Sequence, residues 1–252
     1  MYAVERQRWL VDHAREAGRL EVLEVADALQ VAPETIRRDL KVLERQGLLK
    51  RVHGGAVAIE RLGFEDRLTV RSTLQADRKA RIAEEGLRLI ENAETVYLDE
   101  GSTVQALAER LNPERPLTVV TNAIPVAAVL APRTHVTVIM LGGRVREHTL
   151  ATIEWGTQML DQLVLDLAIL GTNGISIDRG LTCPDVTVAQ VKAKAIDVSR
   201  RRVLLADGTK FGADSSYRFA RVRDLTTIVT DRSADEGIVR KIRAHGVEAV
   251  VV

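Results

Sequence analysis

Residues 33–56 read PETIRRDLKVLERQGLLKRVHGGA, and this stretch decides how the N-terminal part folds. Pro33 suits the first turn of a helix, and Glu34 beside it favours the positive end of the helix dipole. At about 100° per residue, Ile36, Leu40 and Leu43 share one side and face a core. Glu34, Arg38, Lys41 and Arg45 lie opposite, with Thr35 and Arg37 on the flanks. The helix is expected to run to Gln46 and stop at Gly47. Beyond it, Leu48–Val52, a His53-Gly54-Gly55 turn and Ala56–Ile59 read as a β-hairpin.

Working outward, Val4–Ala17 reads as a helix closed by Gly18, and Val22, Val25, Ala26 and Leu29 mark a shorter second helix. Gln30-Val31-Ala32 is the break before Pro33. Helix, short helix, tight turn, helix and hairpin is the order of a winged helix-turn-helix. Its second helix enters the major groove of DNA with its N-terminal residues nearest the bases, where arginine forks to guanine or phosphate. From Pro33 to Val52, Arg37, Arg38, Lys41, Arg45, Lys50 and Arg51 stand against Glu34, Asp39 and Glu44, a local net charge of +3. The candidate contacts to double-stranded DNA are Thr35, Arg37, Arg38, Lys41, Arg45, Arg51 and His53. The plain alternative, a solvated helix face, is outweighed by the preceding helix, the turn and the basic hairpin.

The whole chain, 252 residues, carries a formal net charge of only +1, with 46% hydrophobic, 28% charged and 3% aromatic residues. That apolar content excludes a disordered or fibrous chain, and near neutrality excludes a broadly basic coat or an electrostatic membrane anchor. The low aromatic share leaves the core to Val, Leu, Ile and Ala. Cys183, the lone cysteine, cannot form an internal disulfide and points to a reducing cytoplasm; in its loop-like Thr182-Cys183-Pro184 setting it reads as inert. Met1–Trp9 has no apolar run of the secretory type, and the smoothest apolar stretch, Ile124–Ala131, contains Pro125 and is too short to span a bilayer. His13, His53, His135, His148 and His245 are scattered without ligand spacing, so no metal or other cofactor is expected.

Residues 1–58 are therefore expected to form the DNA-binding domain and 59–74 a connector in which Phe64 and Arg67 dock onto a second domain spanning 75–252. There the rhythm alternates. Expected strands are Thr95–Asp99, Leu117–Thr121, Val136–Leu141, Leu165–Gly171, Val203–Asp207, Thr226–Thr230 and Glu248–Val252. Expected helices are Thr103–Leu111, Ile124–Leu130, Ile153–Leu163, Val186–Ser199 and Ala234–Ala244. Continuous β-branched strands separated by helices describe a doubly wound α/β domain with a largely parallel sheet. Ligands of such sheets bind beyond the carboxyl ends of the strands. Those ends carry Asp99-Glu100-Gly101-Ser102-Thr103, Thr121-Asn122, Gly142-Gly143-Arg144, Gly171-Thr172-Asn173-Gly174 and Asp207-Gly208-Thr209-Lys210, with Lys79 ahead of the first strand. Each is weak singly. Together they describe a polar pocket for an anionic, hydroxyl-rich ligand.

The Thr35-Ile36-Arg37-Arg38-Asp39-Leu40 segment, followed by Arg51-Val52-His53-Gly54-Gly55-Ala56, resembles the DeoR family of bacterial transcriptional regulators. The second domain resembles the DeoR sensor domain, similar in fold to ribose-phosphate isomerase and CoA transferase. The matching residues are Leu98-Asp99, Gly101-Ser102-Thr103, Val120-Thr121-Asn122, Leu141-Gly142-Gly143, Asn173-Gly174, Gly180-Leu181-Thr182, Lys192, Leu205-Ala206-Asp207 and Lys210-Phe211-Gly212. The resemblance implies a homo-oligomeric repressor, a dimer or tetramer, released from operator DNA by a phosphorylated sugar. It carries Asp99, Gly101, Ser102, Thr103, Thr121, Asn122, Asp207 and Lys210 into the effector pocket, with Lys79 and Gly143 beside them. Ala32, Glu100, Val188-Ala189 and Gly208-Thr209 depart from the family pattern. The first loses a helix cap worth about 1 kcal/mol, and an inward Glu100 would repel a second phosphate charge. The principal rival is a sugar-phosphate isomerase or deaminase fused to a DNA-binding module, for which Gly171-Thr172-Asn173-Gly174-Ile175 lacks paired acidic residues. A third reading is a DNA-binding architectural protein with no small ligand.

Overall fold

A computed structural model of the chain describes residues 2–17, 19–45, 48–58 and 68–252, in two compact units divided at Arg61/Leu62. Gly18, Gln46, Gly47, Ile59, Phe64 and Arg67, to which the sequence assigned helix ends, a strand end and docking contacts, lie outside the described residues.

The first unit contains α1 (Ala3–Ala17), β1 (Arg19–Glu21), α2 (Val22–Ala28), α3 (Pro33–Arg45), β2 (Leu49–Val52) and β3 (Gly55–Ala58). Ile36, Leu40 and Leu43 are buried as the wheel requires, packing with Leu10, Ala14, Leu20, Val25 and Leu49. Between α2 and α3 the backbone turns through Gln30 at φ +53°, with the Val31 N–H donating to the Ala26 carbonyl at 3.0 Å. The hairpin acquires a third strand that the sequence reading lacked. β1 pairs antiparallel with β3, giving the order β1-β3-β2. Gly54 turns the hairpin at φ +78°, while a Cβ on Gly55 would stand 1.8 Å from the Leu20 carbonyl oxygen. The two glycines therefore serve different needs: one a left-handed turn, the other the close approach of β1.

The second unit begins with α4 (Leu68–Thr73) and α5 (Ala76–Ile90). Then follow β4 (Thr95–Leu98), α6 (Ser102–Arg110), β5 (Leu117–Thr121), α7 (Ile124–Leu130), β6 (Val136–Met140), β7 (Arg144–Arg146), β8 (Ala151–Ile153), α8 (Gly156–Leu160) and β9 (Leu165–Leu170). The chain continues through β10 (Gly174–Ser176), β11 (Gly180–Cys183), α9 (Val186–Asp197), β12 (Ser199–Leu205), β13 (Tyr217–Ala220), β14 (Thr227–Thr230), α10 (Glu236–Ala244) and β15 (Glu248–Val251). Seven strands form a sheet of order β15-β14-β12-β9-β4-β5-β6, parallel throughout. Alternate side chains feed two cores. Val96, Leu98, Val119, Leu167, Ile169 and Leu205 pack with residues of α5, α6 and α7. Tyr97, Val120, Ala168, Leu170, Leu204 and Ile228 pack with residues of α9 and α10. Helices thus cover both faces, the doubly wound arrangement expected from strands apolar on both sides.

Three expectations are corrected. Ile153 does not start a helix: it ends β8 opposite Arg144, Glu154 breaks the backbone at φ +85°, and only Gly156–Leu160 is helical. β12 begins at Ser199 rather than Val203, because Ser199–Arg202 already pair with β9 although the run is basic. Cys183 is not in a loop but is buried at the end of β11. Burial pushes its thiol up to about 12 despite the nearby Lys192 charge, so it stays protonated at neutral pH. Two further helices, α4 and α5, occupy a stretch for which the sequence offered no helical reading; α4 lies in the segment read as a connector. No helix among the described residues is long and apolar enough to cross a membrane.

Candidate DNA-binding face and effector crevice

On α3, Arg37, Arg38, Lys41 and Arg45 are exposed, with Thr35 half-buried at the N-terminal end. Their surroundings differ. Arg37 is held by Glu34 at 3.1 Å, and Arg45 Nε donates to the Lys41 carbonyl at 3.4 Å. On the hairpin Arg51 pairs with Glu44 at 2.7 Å, while His53 is exposed. Glu44 sits below the usual carboxylate range because Arg51 donates to it from side chain and backbone. Arg38 and Lys41 have no ion pair among the described residues and project from the face opposite the core. The remaining acid, Asp39, is turned inward and buried. It accepts from Arg6 Nε at 2.5 Å and from Gln7 Nε2 at 2.8 Å, fastening α1 to α3. Counted among the exposed charges in the sequence, it is a structural residue that leaves the outer face more basic.

In the second unit the strand order reverses between β4 and β9, since β5 and β6 extend the sheet one way and β9, β12, β14 and β15 the other. The crevice beyond the carboxyl ends of β4 and β9 is therefore the topological switch point, where sheets of this kind bind ligands. At its floor Asp99 is fully buried, with Oδ2 accepting from the Lys192 ammonium and from the Gly171 N–H at 2.9 Å. Burial alone would lower the Lys192 ammonium, but the Asp99 and Glu100 carboxylates outweigh it and hold it above the usual lysine value. Glu100 is buried here too, so this departure from the family pattern places a second negative charge against the lysine. Lys192 also lies over the Phe219 ring, 5.6 Å from its centre.

Gly101, at φ +117°, leads into α6, whose N-terminus has no side-chain cap. Ser102 and Thr103 open the helix and are buried. A helix start of this kind presents backbone N–H groups and the positive end of its dipole, which is anion-binding chemistry. A Cβ on Gly101 would meet the Arg71 guanidinium of α4 at 3.3 Å, so a cation stands over this loop. Lys79, expected to supply a cation itself, is buried; its ammonium donates to the Arg71 carbonyl at 2.6 Å and the Leu74 carbonyl at 2.8 Å, holding the end of α4 against α5.

The neighbouring strand ends join through Tyr97. Its hydroxyl lies 3.0 Å from Asn122 Oδ1 and 3.3 Å from Asp99 Oδ1, and burial keeps the phenol neutral, so its one proton serves either. Asn122 Nδ2 donates to the Thr152 carbonyl at 3.2 Å, and Thr121 Oγ1 accepts the Ala123 N–H at 3.0 Å. Gly143 is compelled by contact: at φ +130°, a Cβ there would stand 1.9 Å from the Ile153 carbonyl oxygen. Beyond β12, buried Asp207 accepts from the Thr209 N–H at 3.1 Å and from its hydroxyl, capping the turn Gly208–Lys210. Asp231, at the end of β14, accepts from the Gly208 N–H and the Ser233 N–H, both at 2.9 Å. Asp99, Thr121, Asn122 and the α6 N-terminus are thus brought together, whereas Asp207 and Lys210 belong to a second cluster around Asp231.

Lys192, Tyr97, Thr152, Asp231 and Arg71 were not assigned to the site from sequence. Lys192 had a signal, since it falls on the apolar stripe of Val188, Val191 and Ala195, where a lysine is buried only with a partner. Asp231 follows Thr230 at a strand end and obeys the rule that found Asp207. Arg71 had none, because α4 is short and its stretch lacks apolar periodicity. Among the described residues no group of three or more His, Cys, Asp or Glu is arranged to hold a metal ion.

The comparisons with known proteins match both units. The family model described as DeoR-like helix-turn-helix domain matches residues 6–62, and that of the DeoR C terminal sensor domain matches residues 74–232. Similar full-length proteins include the uncharacterized HTH-type transcriptional regulator FruR of Bacillus subtilis, 34% identical over 92% of each chain. Others are the HTH-type transcriptional repressor GlcR of Bacillus subtilis, 31% identical over 100% of this chain and 97% of the relative, and the lactose phosphotransferase system repressor of Staphylococcus epidermidis, 32% identical over 86% and 87%. Among solved structures, ribose 5-phosphate isomerase A of Methanocaldococcus jannaschii is similar at 16% identity and TM-score 0.40, covering 54% of each chain. On the two family models and these full-length relatives, the chain belongs to the DeoR family of helix-turn-helix transcriptional regulators.

Proposed function

We propose that this chain is a cytoplasmic repressor of a sugar or polyol catabolism operon, released from operator DNA when a phosphorylated sugar enters the crevice beyond the carboxyl ends of β4, β5, β9 and β12. The observation that carries the reading is one chain bearing both an exposed basic recognition face, centred on Arg38 and Lys41, and an uncapped helix N-terminus at the switch point of a doubly wound sheet. The names of GlcR and of the lactose phosphotransferase system repressor support the repressor and sugar parts. A homo-oligomer presents two heads to half-sites one helical turn apart or at longer spacing.

The phosphate is read by the first N–H groups of α6 with Arg71 above them, and the sugar hydroxyls by the Asp207–Lys210 turn. Arg71 couples the pocket to the rest of the chain because α4 follows the segment that leads from the DNA-binding unit. Effector shifts the protein toward a releasing arrangement only as far as its affinity differs between arrangements, and the coupling is reciprocal.

The reading is a non-catalytic one, and the two aspartates expected at the pocket support it. Proton transfer between sugar carbons needs a carboxylate free to act as base. Asp99 is engaged by Lys192, Gly171 and Tyr97, and Asp207 by Thr209. Incubation with ribose, glucosamine and fructose phosphates tests this: no turnover above background is expected, and sustained turnover would establish the isomerase or deaminase reading instead. Binding without turnover, with release of an operator duplex, is the positive result.

A further inference from the structure

A cavity of about 310 Å3 lies at the end of the sheet opposite the carboxyl ends. Its walls include Arg179 and Gly180 of the β10–β11 hairpin, Arg218 of β13, Arg221, Arg223 and His245. Arg221 and Arg223 precede β14, and His245 precedes β15, so the cavity borders the amino ends of these strands rather than the carboxyl ends that form the effector crevice.

Its charge is one-sided. Four arginines stand against one acidic wall residue, Asp178. Arg179 is offset by Asp214 at 3.2 Å, and the carboxylate of nearby Asp224 accepts the Arg221 N–H at 2.7 Å. Arg218, Arg221 and Arg223 have no ion pair among the described residues. Like charges gathered in this way repel unless an anion joins them. The framework is also built. A Cβ on Gly180 would stand 2.3 Å from the Ala220 carbonyl oxygen and 3.1 Å from the Arg221 Cα, so the hairpin tip is pressed against the end of β13, the strand of Arg218, and the start of the turn that follows. Leu181 pairs with Ala220 and Thr182 with Arg218, which leaves Phe219 as an extra residue in β13. That bulge breaks the alternation of the strand, so Tyr217 and Arg218 are both exposed while Phe219 and Ala220 are both buried. Bulges re-aim side chains next to sites, and here the exposed one is an arginine lining the cavity. His245 closes the same wall, its ring fixed by Nδ1 donating to the Lys241 carbonyl at 2.8 Å.

We propose that this cavity is a second, separate anion site that takes a compact metabolite bearing two phosphate groups, or one phosphate and one carboxylate. Guanidinium forks pair bidentately with such groups, and four of them around a small volume match two anionic ends. The volume is at the lower end of small-molecule pockets, which suits a metabolite rather than a nucleic acid strand. The site does not depend on the effector reading given above.

The test is calorimetric titration of the full chain with inorganic pyrophosphate at constant ionic strength. Saturable one-site binding is expected in the wild type and in Lys210→Ala, with at least a tenfold loss of affinity in Arg218→Gln/Arg223→Gln. Arg179→Gln, on the β10–β11 hairpin, serves as a second variant and should weaken binding as well. Absence of saturable binding in the wild type would overturn the site. So would saturable binding that survives undiminished in both arginine variants, whether or not Lys210→Ala changes it, which would place the anion outside this cavity. Loss of operator affinity in the double variant without any pyrophosphate binding would make the face a DNA contact and also refute the proposal.

Discussion

Lys192 and Asp99 form an ion pair inside the α/β unit, with the two side chains 4% and 0% exposed. Removing one partner of such a pair leaves an uncompensated buried charge, which costs about 3–5 kcal/mol, whereas removing both charges is often close to neutral. Lys192→Met should therefore lose most of that amount in urea unfolding, and Asp99→Asn/Lys192→Met should recover a substantial part. Recovery will be incomplete because Asp99 also accepts from Gly171 and Tyr97, and because buried Glu100 loses the Lys192 charge. A single variant no less stable than the wild type would show that the pair does not organise the crevice floor.

The first unit has its own internal acid. Asp39→Ala removes the acceptor of Arg6 and Gln7, and with the Arg6 side chain 11% exposed the loss should be about 2–3 kcal/mol, below the range for a fully buried pair. Arg38→Ala, one position away, should leave the melting temperature unchanged and abolish specific operator binding. The two neighbours thus separate stability from recognition, read by thermal melts and operator anisotropy on the same preparations.

Gly143→Ala forces a Cβ to within 1.9 Å of the Ile153 carbonyl oxygen at a backbone φ of +130°. Strain of this kind costs about 1–3 kcal/mol before the clash is counted. The melting temperature should fall by several degrees at least, whereas Gly246→Ala, at φ +79° with nothing within 4 Å of the added atom, should fall by less. Equal losses would mean that backbone conformation, not the β7–β8 approach, sets the requirement.

Acid stability follows from Asp185 and Asp231. At both, burial acts to raise the carboxyl, but hydrogen bonds outweigh it: Thr187 and Val188 for Asp185, Ser233 and Gly208 for Asp231, with help from Arg146 and Arg78. Both folded-state values therefore lie below the ordinary 3.8. Their stabilisation is fully present above that value and is lost as pH falls through the lowered folded values. Unfolding free energy should decline below about pH 4, and Asp231→Asn should make that decline shallower while lowering stability at pH 7.

The α3 face was legible because helical spacing placed Ile36, Leu40 and Leu43 together and glycine chemistry placed the hairpin. The sheet was legible because strands covered on both faces are written as continuous Val, Leu and Ile. What escaped had no such signature. β1 is three residues long and exists by pairing with β3, and β12 begins in Arg200-Arg201-Arg202, whose charge hides an extended segment. Asp39 and Lys79 are charged residues in amphipathic helices, and no periodicity distinguishes one that points outward from one that fastens two elements. The strand-end rule pointed to the carboxyl ends of the strands but did not sort the residues there, since Asn122 and Thr121 bond within the protein while Arg71 arrives from a helix read as connector.

The central claim is tested most directly by titrating the complex of this protein and its operator duplex with a panel of phosphorylated sugars, following DNA release by fluorescence anisotropy. The account predicts that at least one phosphorylated sugar, and not its unphosphorylated form, releases wild-type protein. It further predicts that Lys210→Ala remains bound at the same concentration. A protein that holds its operator against the whole panel, or that is released equally by the unphosphorylated sugars, would contradict it.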